Sequence, residues 1–298
     1  MGASSKKVRT ASAKQSSRTS LRSFAFSVVT LDTEGIEVAR RRARAQQFTE
    51  RLGKRASLQM VQIPGGIFLM GAPEGEPGST SSERPQHRVT VGGFFLAKHA
   101  VTIEQWRAVM GSRPEAMSLA DAVFKKSGRQ PVVRVSFDEA ETFCARLSRK
   151  TRRNYRLPNE SEWEYACRAG TSTAFAFGPT ISRAVANYDG ETIRRERPNG
   201  KYATTRLVGA LRMANGFGLF DMHGNIWEWC EDHWHNNYQD APTDGSAWKT
   251  GESRNRVLRG GSWYATVESC RAAMRRPGGE AGIRSRQIGF RVALTAAG

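Results

Sequence analysis

Four cysteines are the residues of this chain best suited to nucleophilic or redox chemistry. None lies in a Cys-x-x-Cys pair of the kind that binds zinc or exchanges disulfides. Cys144 and Cys167 recur with apolar residues at helical spacing, which predicts core positions. Cys270, in the run Ser269-Cys-Arg-Ala-Ala, fits either a reactive thiol or a buried side chain.

Histidines and tryptophans offer two further kinds of site. His233 and His235 alternate as metal ligands on one strand face would, but no third ligand follows at motif spacing, so surface histidines are expected. Four tryptophans could line an aromatic ligand pocket or pack in the core: Trp227, Trp229, Trp234 and Trp263. Core packing is favoured for Trp227 and Trp229.

Composition and charge restrict the class of protein. The 298 residues, 39% of them apolar, suffice for one large domain or two small ones. Residues 1–55 hold thirteen Lys and Arg against four Asp and Glu, about half of the net charge of +18. This basic N-terminal segment predicts either non-specific binding to an anionic partner or, as favoured here, a solvent-exposed segment without a partner. No apolar run approaches the roughly 18 residues of a membrane span, and the few cysteines favour a cytoplasmic location.

Three regions follow along the chain. Residues 1–22 are a low-complexity basic tail that is expected to be disordered. Residues 23–57 form an N-terminal extension, where the alternation from Phe24 predicts a hairpin and the run Arg40 to Arg51 predicts a helix. Residues 58–298 form the folded domain, beginning with two strands broken at 64–66.

Capping boxes predict where three helices of this domain begin. Each pairs an N-cap side chain with a Glu or Gln three residues later, at Thr102, Ser136 and Asn159. Gly170 is expected as a helix C-cap. Beyond it, frequent Gly, Pro and Asn predict irregular but packed loops.

Several motifs occur together in order, and they end with Arg256-Val-Leu-Arg-Gly-Gly-Ser-Trp263 and Ile288-Gly-Phe-Arg-Val292. With Arg156 to Ala166 and Asn215 to Trp229, they resemble the formylglycine-generating enzyme (sulfatase-modifying factor) family. This resemblance implies an α+β, C-type-lectin-like fold with short strands, few helices and extensive ordered loops.

The same resemblance bears on the family's reaction, an oxidation at copper held by two cysteines. Cys270 stands at the second cysteine's place, but Ala265 occupies the first. Because Cu(I) in this family is held by two soft thiolates, copper is unlikely here and the oxidase activity is doubtful. Ser262 matches a family serine beside the thiolates, and Cys270 and Ser262 are the catalytic candidates if an activity remains.

Calcium is the cofactor that the resemblance favours. The run Asp221 to Glu228 is similar to a family calcium loop, with ligands carried over by position to Asp221, Gly224, Ile226 and Glu228. A Gly-containing turn lets main-chain carbonyls converge with carboxylates around a hard cation. Turn capping by the two carboxylates is the alternative. A second calcium site would begin at Asn187 and Tyr188, but the segment Arg194 to Tyr202 offers no matching carboxylate.

Another branch of the same fold, the variable proteins of diversity-generating retroelements, binds ligands between the Gly-Gly-Ser-Trp motif and a terminal Ile-Gly-Phe-Arg. The resemblance places a binding surface within 264–287, at Tyr264, Ala265, Thr266, Glu268, Ser269, Met274, Arg276, Arg284 and Arg286. Adenine mutagenesis of an Asn codon ending in C would not generate Glu268, Met274 or Gln287.

Two functions therefore stay open. The favoured prediction is a protein that binds an unidentified protein or small molecule through 264–287, on a surface that a retroelement diversifies. The alternative is a copper- or iron-dependent oxidase acting through Cys270, although no two-His-one-carboxylate set supports iron.

Overall fold

A computed structural model of the protein describes residues 20–112, 114, 128–188, 204–251 and 253–295. These residues include three α-helices: α1 (Ile103–Met110), α2 (Phe137–Thr151) and α3 (Glu160–Arg168). The first six strands are β1 (Arg22–Leu31), β2 (Glu37–Arg51), β3 (Ser57–Ile63), β4 (Gly66–Met70), β5 (His87–Val91) and β6 (Phe94–Ala97). The others are β7 (Tyr155–Arg156), β8 (Trp227–His233), β9 (Asn255–Arg259), β10 (Arg275–Glu280), β11 (Ile288–Gly289) and β12 (Ala293–Thr295). The predicted α+β fold with short strands, few helices and long loops is confirmed.

The strands form three sheets. A six-stranded sheet has the order β1-β2-β3-β6-β12-β7, a four-stranded sheet has the order β10-β9-β8-β11, and β4 pairs with β5. The four-stranded sheet carries the C-terminal motifs, since β9 precedes the Gly-Gly-Ser turn and β10 lies inside 264–287. No described helix is both long and apolar enough to cross a membrane.

The predicted hairpin at the N-terminus is confirmed, but the predicted helix over 40–51 is wrong. That stretch lies in β2, which pairs antiparallel with β1 and then, over residues 47–51, with β3. Ala43 and Ala45 lie opposite Phe26 and Phe24 and pack with them. Sheet pairing thus overrides the helical propensity of Arg, Ala and Gln. The extension supplies β1 and β2, the two strands at one edge of the six-stranded sheet.

The remaining local predictions hold with two small shifts. The predicted break at 64–66 falls at residues 64–65, between β3 and β4, and Gly66 already belongs to β4. All three capping boxes form, with Thr102, Ser136 and Asn159 each accepting from the backbone N–H three residues on. The C-cap of α3 is Ala169, in left-handed conformation at φ 47°, and Gly170 follows it.

Candidate functional site

The Gly-Gly-Ser turn after β9 brings Ser262 and Cys270 together. Gly260 and Gly261 have φ of 99° and 76°, which favour glycine. A Cβ at Gly261 would lie 2.4 Å from Sγ of Cys270, so a larger residue there would collide with the thiol. The turn therefore fixes the position of Cys270 by close approach of the backbone.

Cys270 lies in a closed apolar environment. Its side chain is fully buried in a cluster with Ala265, and β1 contributes Val29 and Leu31 to the same cluster. We call these residues, with Phe175 and Phe177, the Cys270 cluster. Burial raises the pKa of the Cys270 thiol well above its usual range, so the thiol is protonated at neutral pH. Ala265, predicted on the binding surface, is instead buried at 8% exposure.

His223 also borders this region, and no motif indicated its contact with Cys270. Its Nδ1 donates to the Cys270 carbonyl at 2.8 Å, and its Nε2 accepts from the Ala176 N–H at 3.0 Å. The Cys167 sulfur lies 3.6 Å from Nε2. Burial lowers the pKa of His223 to about 4 and raises that of Cys167 to about 12, so both groups are neutral at pH 7. They form a buried polar contact without a thiolate.

The Ser262 hydroxyl is occupied by structural hydrogen bonds. It donates to Oε1 of Gln287 at 2.8 Å and accepts from the Tyr264 N–H at 3.3 Å. The serine is fully buried. These bonds tie the start of the 264–287 segment to its end.

Buried arginines hold the segment 264–287 in place through ion pairs and hydrogen bonds. Arg271 binds Glu76 at 2.6 Å and Glu83 at 2.7 Å, and Arg275 makes a bidentate pair with Glu160 at 2.7 and 2.8 Å. Arg259, which pairs with Glu164, also donates to the carbonyls of residues 272, 273 and 274. Removing one partner of such a buried pair leaves an uncompensated charge, so these contacts hold the segment rigidly. Cys270, Ala273, Ile288 and Phe290 are buried, as predicted.

Six of the predicted binding residues are exposed, and we refer to this set as the display face: Tyr264, Thr266, Glu268, Arg276, Arg284 and Arg286. Ser269 is half-buried, with its hydroxyl 3.2 Å from that of Thr266. Met274 is half-buried against the core. Arg284 pairs with Glu139 at 3.0 Å. The exposed residues alternate with the buried framework rather than forming a separate loop.

The loop from Asp221 to Glu228 is closely packed. Asp221 accepts from the Gly209 N–H at 2.7 Å, and burial raises its pKa to about 6. Glu228 makes a bidentate pair with Arg291 at 2.6 and 2.8 Å, and its Oε2 also accepts from Trp163. Oε1 makes only one of these bonds, and a carboxylate oxygen offers about two acceptor positions. Glu228 thus fits calcium only as a ligand shared with Arg291.

The predicted second calcium site is only partly described. Asn187 donates to Oδ1 of Asn225 at 3.0 Å and to the Thr204 carbonyl at 3.1 Å. Tyr188 donates to the Ile181 carbonyl at 3.1 Å. The segment 194–202 lies outside the described residues.

The four candidate tryptophans differ in burial, and the candidate histidines are not part of a metal site among the described residues. Trp227 and Trp229 are buried core residues, as predicted, whereas Trp234 and Trp263 are half-buried. His235 stacks on Trp248 with ring centroids 3.5 Å apart. Within the described ranges, no three His, Cys, Asp or Glu side chains converge as metal ligands.

Comparison with known proteins shows the family of this chain. Residues 46–296 match the family model described as the sulfatase-modifying factor enzyme 1-like domain. A relative, serine/threonine-protein kinase pkn1 of Chlamydia caviae, is 31% identical to this chain. The match covers 79% of this chain but only 38% of the length of the kinase.

Two solved structures extend the likeness to nearly whole chains. PvdO from Pseudomonas aeruginosa is 32% identical with a TM-score of 0.71, covering 83% of this chain and 98% of that one. Treponema denticola variable protein 1 is 25% identical with a TM-score of 0.68, covering 84% and 99%. The chain belongs to the sulfatase-modifying factor enzyme 1-like family, whose members include formylglycine-generating enzymes, and it shares its fold with a variable protein.

Proposed function

We propose that this protein binds a protein or small-molecule ligand through the display face. The observation that carries the proposal is the contrast within one segment. Exposed side chains alternate with a rigid buried framework, while the thiol at the family's reactive position is closed off. Rigid scaffolds that present loop side chains are a common basis of recognition.

The burial of Cys270 supports this proposal. Val29 and Leu31 of β1 belong to the same apolar cluster as the thiol, although β1 precedes the range 46–296 that matches the family model. A protonated, buried thiol is a poor nucleophile and a poor copper ligand.

Diversification by a retroelement is the finer part of the proposal, and the placement of two residues supports it. Glu268, Met274 and Gln287 are incompatible with adenine mutagenesis; Met274 and Gln287 belong to the framework, and Glu268 is the one display-face residue that would have to be undiversified. Met274 packs on the core, Gln287 binds Ser262, and Cγ of Glu268 lies 2.7 Å from where a Cβ at Gly78 would be. The other display-face residues are Tyr, Thr and Arg, which such mutagenesis can generate.

A selection experiment tests the binding proposal. Codons 264, 266, 269, 276, 284 and 286 are randomised, and the displayed library is selected against hen egg lysozyme. A control library randomises six exposed positions elsewhere: Thr30, Glu34, Gln46, Arg88, Asp240 and Lys249. We expect folded binders from the first library and none from the second. Equal yields, or unfolding of most first-library members, would reject the display face.

The neighbouring DNA tests diversification separately. A reverse transcriptase gene and a near-repeat of the 3′ coding end are expected beside this gene. Their absence would reject diversification while leaving the binding proposal to the selection experiment.

The oxidase alternative requires Cys270 as a copper or iron thiolate with Ser262 beside it. Formation of that thiolate would have to overcome burial that favours the protonated thiol. Turnover of a cysteine peptide is the outcome that would restore this alternative.

We also propose a structural calcium ion at the loop 221–228. Asp221, the carbonyls of Gly224 and Ile226, and the free acceptor position of Glu228 would hold it. Its role would be to fix this loop, which also contacts the Gly-Gly-Ser turn through the bond from Gly224 N–H to the Gly260 carbonyl at 2.6 Å.

We infer a cytoplasmic location from the four free, buried cysteines, which need no oxidising compartment. The basic tail 1–22, most of which lies outside the described residues, is proposed to add salt-sensitive, sequence-independent affinity for anionic partners.

A further inference from the structure

A groove of aromatic and amide side chains lies apart from the Cys270 cluster, around the segment 234–239. One hollow of about 490 Å³ has Trp234, His235 and Trp248 in its wall. A second hollow of about 640 Å³ adjoins it, and Asn236, Asn237 and Gln239 line both. Each volume falls within the range of about 300–1,000 Å³ that small-molecule sites occupy.

The tryptophan rings are held with apolar surface available. Each indole N–H is satisfied by a neighbour, Trp234 by Asn236 and Trp248 by Thr250, both at 2.9 Å. The Arg275 guanidinium lies 4.7 Å from the centroid of Trp234, and His235 stacks on Trp248. Both rings are half-buried, so each is backed by protein yet keeps exposed area for a ligand.

The amide side chains keep unused hydrogen-bonding capacity. Asn236 and Asn237 each use Oδ1 as an acceptor, from Trp234 Nε1 and from the Gln239 N–H. Among the described residues, their Nδ2 groups have no protein partner and remain available as donors. An amide can donate and accept at once, as a hydroxyl group does.

Charge separates the possible ligand classes. The described side chains that line the 490 Å³ hollow include no Lys, Arg, Asp or Glu, whereas Glu74 and Arg84 line the adjoining 640 Å³ hollow, so this restriction on ligand charge applies to the tryptophan-lined hollow. A phosphate or carboxylate ligand would require a cationic side chain there. A neutral polyhydroxylated ligand instead satisfies both the amides and, through its C–H faces, the indole rings.

Buried contacts fix the groove before any ligand arrives. Asp232 accepts from the Trp248 N–H at 2.7 Å and from the Glu160 N–H at 2.6 Å. Arg275 donates to the carbonyls of Ser82 and His235, both at 3.0 Å, and thereby links the two sides. Such preorganisation lowers the entropic cost of binding.

We propose that this groove binds a neutral oligosaccharide, with a sugar ring packed on Trp234 and Trp248 and its hydroxyls bonded to Asn236, Asn237 and Gln239. The site is separate from the display face and its failure leaves that proposal unaffected. Only Pro277, on β10, lies in both the hollow and the 264–287 segment.

A printed glycan array tests the proposal. The full chain is applied to neutral glucose, mannose, galactose and N-acetylhexosamine oligosaccharides beside sulfated and sialylated ones, and calorimetry follows with the strongest neutral binder. Trp248→Ala is expected to weaken binding at least about tenfold, a loss of about 1.4 kcal/mol. Trp263→Ala, a half-buried tryptophan outside the groove, is the matched control and should bind as the parent does.

A second variant keeps the test valid if Trp248→Ala fails to fold. Asn237→Asp retains the oxygen that accepts from the Gln239 N–H but removes the Nδ2 donors, so it should also weaken binding at least about tenfold with unchanged melting. Binding of no neutral glycan, preference for the charged glycans, or parent-like affinity of both groove variants would overturn the proposal.

Discussion

The Cys270 cluster and the display face lie within the same stretch of chain, yet they differ in almost every physical property. Ala265 and Cys270 are buried in an apolar cluster to which β1 contributes, whereas Tyr264 and Thr266 on either side of Ala265 are exposed. Cys270, at the position of the family's second copper cysteine, is fully buried, and so is Ala265. The side chains between these packed positions are the ones exposed to solvent.

This comparison also shows what holds the surface in place. The display face rests on arginines whose charges are neutralised by buried glutamates, and on hydrogen bonds from Arg259 to three successive carbonyls. A surface so supported can change its exposed residues at small cost, while the supporting residues cannot change. Mutations in the two regions should therefore have very different effects on stability.

The largest expected effect is that of Cys270→Asp. The substitution places a carboxylate without a partner in the Cys270 cluster, and an uncompensated buried charge costs about 3–5 kcal/mol. Urea unfolding measures the loss. Cys270→Ala is the control and should cost less than half as much; equal stability of Cys270→Asp and the parent would contradict the closed cluster.

A second effect concerns the buried support near Trp248. Burial, with the nearby Glu160 carboxylate, raises the pKa of Asp232 to about 7, against about 4 in the unfolded chain. The folded protein then binds more protons between these values, so the free energy of unfolding falls as pH rises from about 4 to 7.

Asp232→Asn should flatten this slope in urea unfolding measured across that pH window. Asp244→Asn, at an exposed aspartate, should leave it unchanged. A parent-like slope in Asp232→Asn would show that Asp232 ionises normally in the fold.

Calcium is expected to have a smaller effect. An ion that binds only the folded state at 100 times its Kd adds about 2.7 kcal/mol, so chelation should lower Tm by several degrees. Asp221→Asn keeps an oxygen for the Gly209 N–H but loses charge, and its Tm should respond less to calcium. No response to chelation in the parent would remove the proposed site.

The smallest effects are expected on the display face. Tyr264→Ser and Thr266→Ala should each change the free energy of unfolding by less than about 0.5 kcal/mol, because exposed side chains away from caps and networks contribute little. Thermal melting beside Cys270→Asp measures the contrast. Losses as large as that of Cys270→Asp would mean that these residues belong to the framework.

The sequence predicted features that depend on neighbours in the chain. Capping boxes at Thr102, Ser136 and Asn159 locate helices because their two partners are three residues apart. The strand over 40–51 was missed because Arg, Ala and Gln favour helices locally, while the pairing with Phe24 and Phe26 depends on the hairpin.

The site depended more on distant contacts. The burial of Ala265 arises where Val29 and Leu31 join its cluster, and the partner of Glu228 is Arg291, 63 residues away. The groove likewise joins Trp234 with Trp248 and Pro277. No spacing rule connects such residues, so only the folded chain shows them together.

The central claim is that the Cys270 position serves packing and not oxidation. Incubation of the full chain with copper, oxygen and a sulfatase-type cysteine peptide, followed by mass spectrometry, tests it most directly. We predict unmodified peptide, from the parent and from Cys270→Ala alike, because the buried thiol is protonated and Ala265 supplies no second sulfur. Copper-dependent formylglycine that disappears in Cys270→Ala would contradict the account.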